Sequence, residues 1–196
     1  MEIEKYQIDA HNEKSAAEQQ RRFSFAASEN ENIEEVISKL IKFQIAIPSW
    51  ALGSGGTRFG RFSGGGEPRS LEEKIEDIGL LHKLNQASGA ISLHIPWDIP
   101  QDYDAIKSLA AHHNLRFDAM NSNTFQDQAG QPLSYKFGSL QHVDKAVRQQ
   151  AIDHNIEVIR MGKQLDSNTL FSSLLCSGLF LGRQDSQHKM HSRAGR

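Results

Sequence analysis

Cysteine is almost missing from this chain: Cys176 is the single one in 196 residues. An internal disulfide is therefore excluded, as is any C-x-x-C metal or redox pair, and this fits a reducing compartment. An excess of one charge is lacking too, since 22 basic residues face 24 acidic ones for a net of −2. That balance offers no basic footprint for nucleic acid and no charge excess of the kind that keeps chains disordered. Long apolar runs are absent, with no window near the ~20 residues of a membrane span. The start carries Glu2, Glu4, Asp9 and Glu13 in place of the basic and apolar regions of a secretory signal. These absences lead to the expectation of a cytoplasmic protein with neither a nucleic-acid nor a membrane partner.

Phosphate-cradling motifs are wanting as well, although glycine is concentrated in one place. Seven glycines lie between Leu52 and Pro68, interrupted by Thr57-Arg58-Phe59-Gly60-Arg61-Phe62. No G-x-x-x-x-G-K-[ST] occurs, and G-x-G-x-x-G fails because Arg58 stands where the third glycine of the run from Gly53 should be. A nucleotide site is rejected. The loop is longer than usual for an α/β connection, so it reads either as a tip reaching a ligand or neighbouring subunit or as a mobile surface loop.

What is present is organised around Ala90-Ile91-Ser92-Leu93-His94-Ile95-Pro96-Trp97-Asp98. A mostly apolar run passes directly into a histidine, a proline, a tryptophan and an aspartate. It reads as a buried strand whose end delivers polar and aromatic groups to one place. In parallel α/β sheets ligands bind beyond the carboxyl ends of the strands. The plain alternative is that His94 and Trp97 finish a core strand.

The flanking segments repeat that plan. Residues 1 to 30 are polar and read as a loose helix packing through Phe23 and Phe25. Ile33, Val36, Ile37, Leu40 and Ile41 have the spacing of an amphipathic helix facing a core. Phe43 to Trp50 reads as the first parallel strand, closed by Pro48 and Trp50. Ser70-Leu71-Glu72-Glu73 is a capping box that starts a helix with Leu71, Ile75, Ile78, Leu81 and Leu84 inward, ended by Ser88-Gly89. A further helix begins near Asp102, with Ala105, Ile106, Leu109 and Ala110 inward and His112 and His113 as surface residues complementing its dipole. Arg116 to Met120 reads as the next strand, and Asn121 to Gln128 as a polar cluster at its end. Val143, Ala146, Val147 and Ala151 mark one helical segment, and Ile156, Val158, Ile159, Met161 and Leu165 a second. Alternation of strand and helix implies parallel strands joined by crossovers.

Taken together, Ile45 to Trp50, Gly56-Thr57-Arg58-Phe59, Ser92 to Asp98, Asp118 to Gln126 and Tyr135 to Leu140 resemble the bacterial L-rhamnose isomerase family of xylose-isomerase-like TIM barrels. The resemblance spans about residue 30 to Leu170. It implies an α/β fold, a partial (β/α)8 TIM barrel of about three to four βα units with an N-terminal helical extension, since 196 residues fall short of the roughly 250 of a whole barrel. It implies aldose–ketose isomerisation of L-rhamnose or a related sugar, with manganese or a similar divalent metal as cofactor. By position Trp50, His94 and Trp97 would line a sugar pocket, where indole faces pack on sugar C–H surfaces and imidazole binds a hydroxyl or assists ring opening. Phe59 would match the aromatic that family members insert into a neighbouring subunit's site, implying a homo-oligomer. Asp98 would orient His94, and Asn121, Asn123 and Phe125 would add to the wall.

The pattern departs from the family after Leu170. The glutamate, aspartate and histidine ligands of the family's metals lie on later strands, and no complete metal site is expected here. Residues 1–170 carry 18 basic and 23 acidic residues, whereas 171–196 carry 4 and 1, so the charge changes sign. The expected organisation is thus a polar extension over 1–30, a partial barrel over 31–170, and an aberrant basic tail over 171–196, read either as a frame change or as a diverged natural terminus. Such a chain would be a truncated isomerase with little activity alone. The alternative is a sugar-binding or interaction module without catalysis.

Overall fold

The computed structural model describes residues 3–27, 32–52, 56–57, 60–61, 66–167 and 169–172. Five helices and six strands follow in order: α1 (Lys5–Ala27), α2 (Ile33–Ile41), β1 (Ala46–Pro48), β2 (Gly56–Thr57), β3 (Gly60–Arg61), α3 (Leu71–Asn85), β4 (Ala90–Ile95), α4 (Tyr103–His112), β5 (Arg116–Ser122), α5 (Lys145–Gln164) and β6 (Thr169–Ser172). A short 3₁₀ turn, Ser49–Ala51, follows β1. Strands β1, β4, β5 and β6 form one sheet in that order, with every pairing parallel. Strands β2 and β3 make a separate two-stranded antiparallel ribbon.

Each main helix starts where its cap dictates. Ser70 accepts the Glu73 amide at 3.2 Å, while the Glu73 carboxylate reaches back to the Arg69 amide at 2.5 Å. Asp102 accepts the amides of Asp104 and Ala105 at 2.9 and 3.0 Å, and Asp144 accepts that of Ala146 at 2.8 Å. The end of α3 differs from expectation. The left-handed residue that stops it is Gln86 at φ 56°, and Asn85 closes the following turn through the Ala87 and Ser88 amides. Asn85 thus supplies the hydrogen bonds that make Ser88-Gly89 unnecessary as the stop.

Alternate residues of β4 point to opposite faces, and Ile91, Leu93 and Ile95 join the hydrophobic core. Leu71, Ile75 and Ile78 from α3, Ile106 and Ala110 from α4, Val158 and Met161 from α5, and Leu165 at the C-cap of α5 close over them. Burial on this scale, at about 25 cal/mol per Å² of apolar surface, is what holds the sheet and helices together. Close approach is helped by two helical glycines: a Cβ on Gly162 would lie 2.9 Å from Met120 Cγ, and one on Gly79 would lie 2.5 Å from the His113 ring.

Several expectations change here. His113 is half-buried against α3 at Gly79, not a surface residue, and burial pushes its pKa below the ordinary histidine value. Residues 145–164 form one uninterrupted helix instead of two segments, because nothing between Ala151 and Ile156 breaks the chain of backbone bonds. On α5 Val158 and Met161 are buried, as is Leu165 at its C-cap, but Ile156 and Ile159 are exposed. The stripe of α2 is also exposed at Val36 and Leu40, since no described element covers it. Phe23 on α1 is exposed, whereas the side chain of Phe25 lies outside the described residues. Among the described residues no helix is long and apolar enough to cross a membrane.

Candidate functional site

The second face of β4 carries Ser92 and His94, both buried. Which groups His94 meets is decided by an irregularity in the neighbouring strand. Ile91 pairs with Phe117, yet Leu93 pairs with Met120, so β5 holds one extra residue at that level. A bulge of this kind reverses the facing of everything beyond it. Asn121 is thereby brought opposite His94, and its amide nitrogen lies 2.7 Å from the imidazole Nδ1. With that amide as donor, Nδ1 is the acceptor and the imidazole proton sits on Nε2.

Aromatic rings surround the same imidazole. Trp97 is stacked on it, with centroids 3.9 Å apart and planes tilted by 34°. Trp50, delivered by the 3₁₀ turn after β1, approaches edge-on at 5.5 Å, and Phe125 at 6.0 Å. His94 is only 2 % exposed, whereas both indoles are half-buried and Phe125 is exposed. A molecule arriving from solvent meets the indoles first.

Beneath the rings lies a buried polar network. Asp98 Oδ1 accepts from Lys74 Nζ at 2.6 Å. Its Oδ2 accepts from the backbone N–H of His94 at 2.8 Å and from the hydroxyl of Ser49. The turn is closed by the Asp98 amide donating to the His94 carbonyl at 2.9 Å, across a cis Ile95–Pro96 peptide. Asp98 does bear on His94, then, but through the backbone, and its carboxylate is otherwise committed to Lys74 and Ser49. Asn123 is committed as well: its side-chain oxygen accepts the Gln126 amide at 3.1 Å and its amide donates to Gln126 at 3.2 Å, so it shapes the turn. Among the described residues Asn121 Oδ1 and Thr124 Oγ1 are buried without a hydrogen-bond partner.

Trp50, His94 and Trp97 are thus brought together at the carboxyl end of the sheet, with Phe125 and Asn121 beside them. Phe59 lies outside the described residues, as do Gly53, Gly55, Arg58, Gly64 and Gly65 of the same loop and residues 173–196. Two participants had no place in the sequence reading, Ser49 and Lys74. The signal for Lys74 was its position, within the stripe of Leu71, Ile75 and Ile78, where an apolar residue is the rule. No group of three or more histidine, cysteine, aspartate or glutamate side chains among the described residues could hold a metal ion. The lone carboxylate of the cluster is neutralised by Lys74, so these residues do not fit a divalent-metal centre.

Fold and site together define a class: a parallel α/β sheet whose strand ends gather a histidine between tryptophans. Relatives narrow it. No family model matches the chain. The chain is 51 % identical over 139 residues to a protein of Rhizobium meliloti (strain 1021) named "Probable sugar isomerase", covering 71 % of this chain and 32 % of that protein. A second protein with that description, from Mesorhizobium japonicum, is 53 % identical over 138 residues, 70 % of this chain and 32 % of its own length. The chain spans about a third of the length of the curated relatives it matches.

Proposed function

We propose that the chain supplies the aromatic and imidazole side of a sugar pocket in an aldose–ketose isomerase, built on the first units of a (β/α)8 barrel. L-rhamnose and its ketose are the pair its motifs resemble. One observation carries this reading: Trp50 and Trp97 flank a buried His94 at the carboxyl end of β4, at 5.5 and 3.9 Å. Indole faces suit the C–H surface of a pyranose, and an imidazole whose Nδ1 is held by Asn121 keeps a fixed orientation among them. The orphan oxygens of Asn121 and Thr124 support it, as buried acceptors for further hydroxyls. The identity with two proteins named as sugar isomerases supports it independently.

In this reading the chain's own residues bind, orient and exclude water. Any divalent metal of the manganese type would be held by residues other than this cluster, and no step is routed through one here. Phe59 would serve a neighbouring copy's pocket, making the assembly a homo-oligomer. The test is co-expression of the chain with the part of the Rhizobium relative that it does not match, followed by a colorimetric assay for ketose formed from L-rhamnose. Activity that disappears on His94→Ala supports the isomerase. Sugar binding without turnover would replace it with a binding module.

A further inference from the structure

We infer that Lys74 is a positioning residue for the two indoles, acting through Asp98 to set their spacing across His94. The connectivity is direct. Ser49 precedes Trp50 and Asp98 follows Trp97, so the two residues that share a hydrogen bond each adjoin one of the tryptophans. Lys74 comes from a third element, α3, and its ammonium lies 2.6 Å from Asp98 Oδ1. All three side chains are inside the protein, Ser49 at 0 %, Asp98 at 2 % and Lys74 at 8 % exposure.

Burial is what makes the lysine decisive. An ionised carboxylate cannot stay in such a place uncompensated; it neutralises or moves toward water. If Asp98 moved, it would release Ser49 and the His94 amide at once. Both turns that carry indoles would then lose their common anchor. Stability alone does not account for Lys74. With an apolar residue at position 98 as well, a leucine or methionine at position 74 would complete the apolar stripe of Leu71, Ile75 and Ile78, and exchanging both members of a buried ion pair for apolar side chains is often neutral or stabilising. The charge serves placement of the turns.

The purpose of that spacing rests on the sugar-pocket reading, but the clamp itself is testable without sugar. The sequence has two tryptophans, so the full chain labelled with 5-fluorotryptophan gives two ¹⁹F resonances, assigned through Trp50→Phe and Trp97→Phe. The decisive variant is Lys74→Met combined with Asp98→Leu, which leaves no orphan charge and takes away the acceptor that Ser49 and the His94 amide share. We expect a folded chain by far-ultraviolet circular dichroism in which both resonances shift most of the way toward their positions in urea. Lys74→Arg, which keeps the charge, is expected to hold both resonances closer to the wild-type positions than the neutral pair does. A folded neutral pair with both resonances at wild-type positions overturns the inference. So does unfolding of that variant, which would make Lys74 a determinant of the fold. Adding L-rhamnose to the wild type separates the two readings: no sugar-induced shift overturns the pocket, whereas the clamp is judged on the sugar-free spectra.

Discussion

Truncating Asn121 to alanine removes one contact whose energetic consequence can be worked out in advance. Asn121 is 5 % exposed and His94 2 %, so no bulk water replaces the 2.7 Å bond between them. A buried polar group stripped of its partner costs about 1–3 kcal/mol. Asn121 Oδ1 already lacks a partner, so its removal returns part of that cost, while the space left by the carboxamide adds to it. The two corrections oppose each other, and the net expectation for Asn121→Ala is a loss of roughly 2 kcal/mol. Asn121→Leu fills the space and deletes the orphan oxygen, so it should cost about 1 kcal/mol less than the alanine variant. Urea unfolding of the full chain reads both, provided the slope is unchanged and only the midpoint moves. Long-range ¹H–¹⁵N spectra give the tautomer, with His94 Nδ1 unprotonated in the wild type. An alanine variant within about 0.5 kcal/mol of wild type, or a proton found on Nδ1, would refute the assignment of Asn121 as donor to the ring.

Two further outcomes concern the scaffold. Burial lowers the pKa of His113 and of His154, against the opposing pull of Glu76 in one case and of Glu157 and the Ile95 carbonyl in the other. The unfolded chain therefore binds protons first, so stability is highest above the ordinary histidine value of 6.5 and falls as pH drops below it. His154→Gln should flatten that fall in urea midpoints measured between pH 7.5 and about 5, whereas an unchanged slope would exclude His154 as its source. Gly79→Ala should destabilise by about 1–3 kcal/mol despite better helix propensity, because its Cβ would stand 2.5 Å from the His113 ring. Adding His113→Ala removes the ring but keeps a Cβ at 2.8 Å, so it should recover part of the loss in the same unfolding experiment, and additive losses would disprove the clash.

Much of this site was legible because its features are local. A run of apolar residues ending in His-x-Pro-Trp-Asp announces a strand with chemistry at its end, and Ala90–Ile95 is that strand, buried along its whole length. Trp50 could be placed beside it by the same logic, since successive parallel strands bring their carboxyl ends together. The capping box at Ser70 and the cap at Asp102 were equally readable. What escaped depends on tertiary register. The extra residue in β5 leaves no mark in composition, yet it decides that Asn121, and not Met120, faces His94. Lys74 stands within the stripe of α3, but its partner Asp98 lies 24 residues away and only the packed structure pairs them. Conversely, Val36 and Leu40 have ideal spacing for burial and remain exposed, because periodicity says which face is apolar but not what covers it. His113 was misjudged for a related reason: a helix end attracts cations in general, and only Gly79 on another helix makes room to bury this one.

The central claim is that Trp50, His94 and Trp97 form a surface for a sugar, and saturation-transfer NMR with L-rhamnose on the full chain tests it most directly. Irradiating the aromatic protons should pass saturation to the sugar's C–H protons, and the transfer should be lost in Trp97→Leu and in Trp50→Leu. No transfer in the wild type, or transfer undiminished from wild type in both variants, would contradict the account.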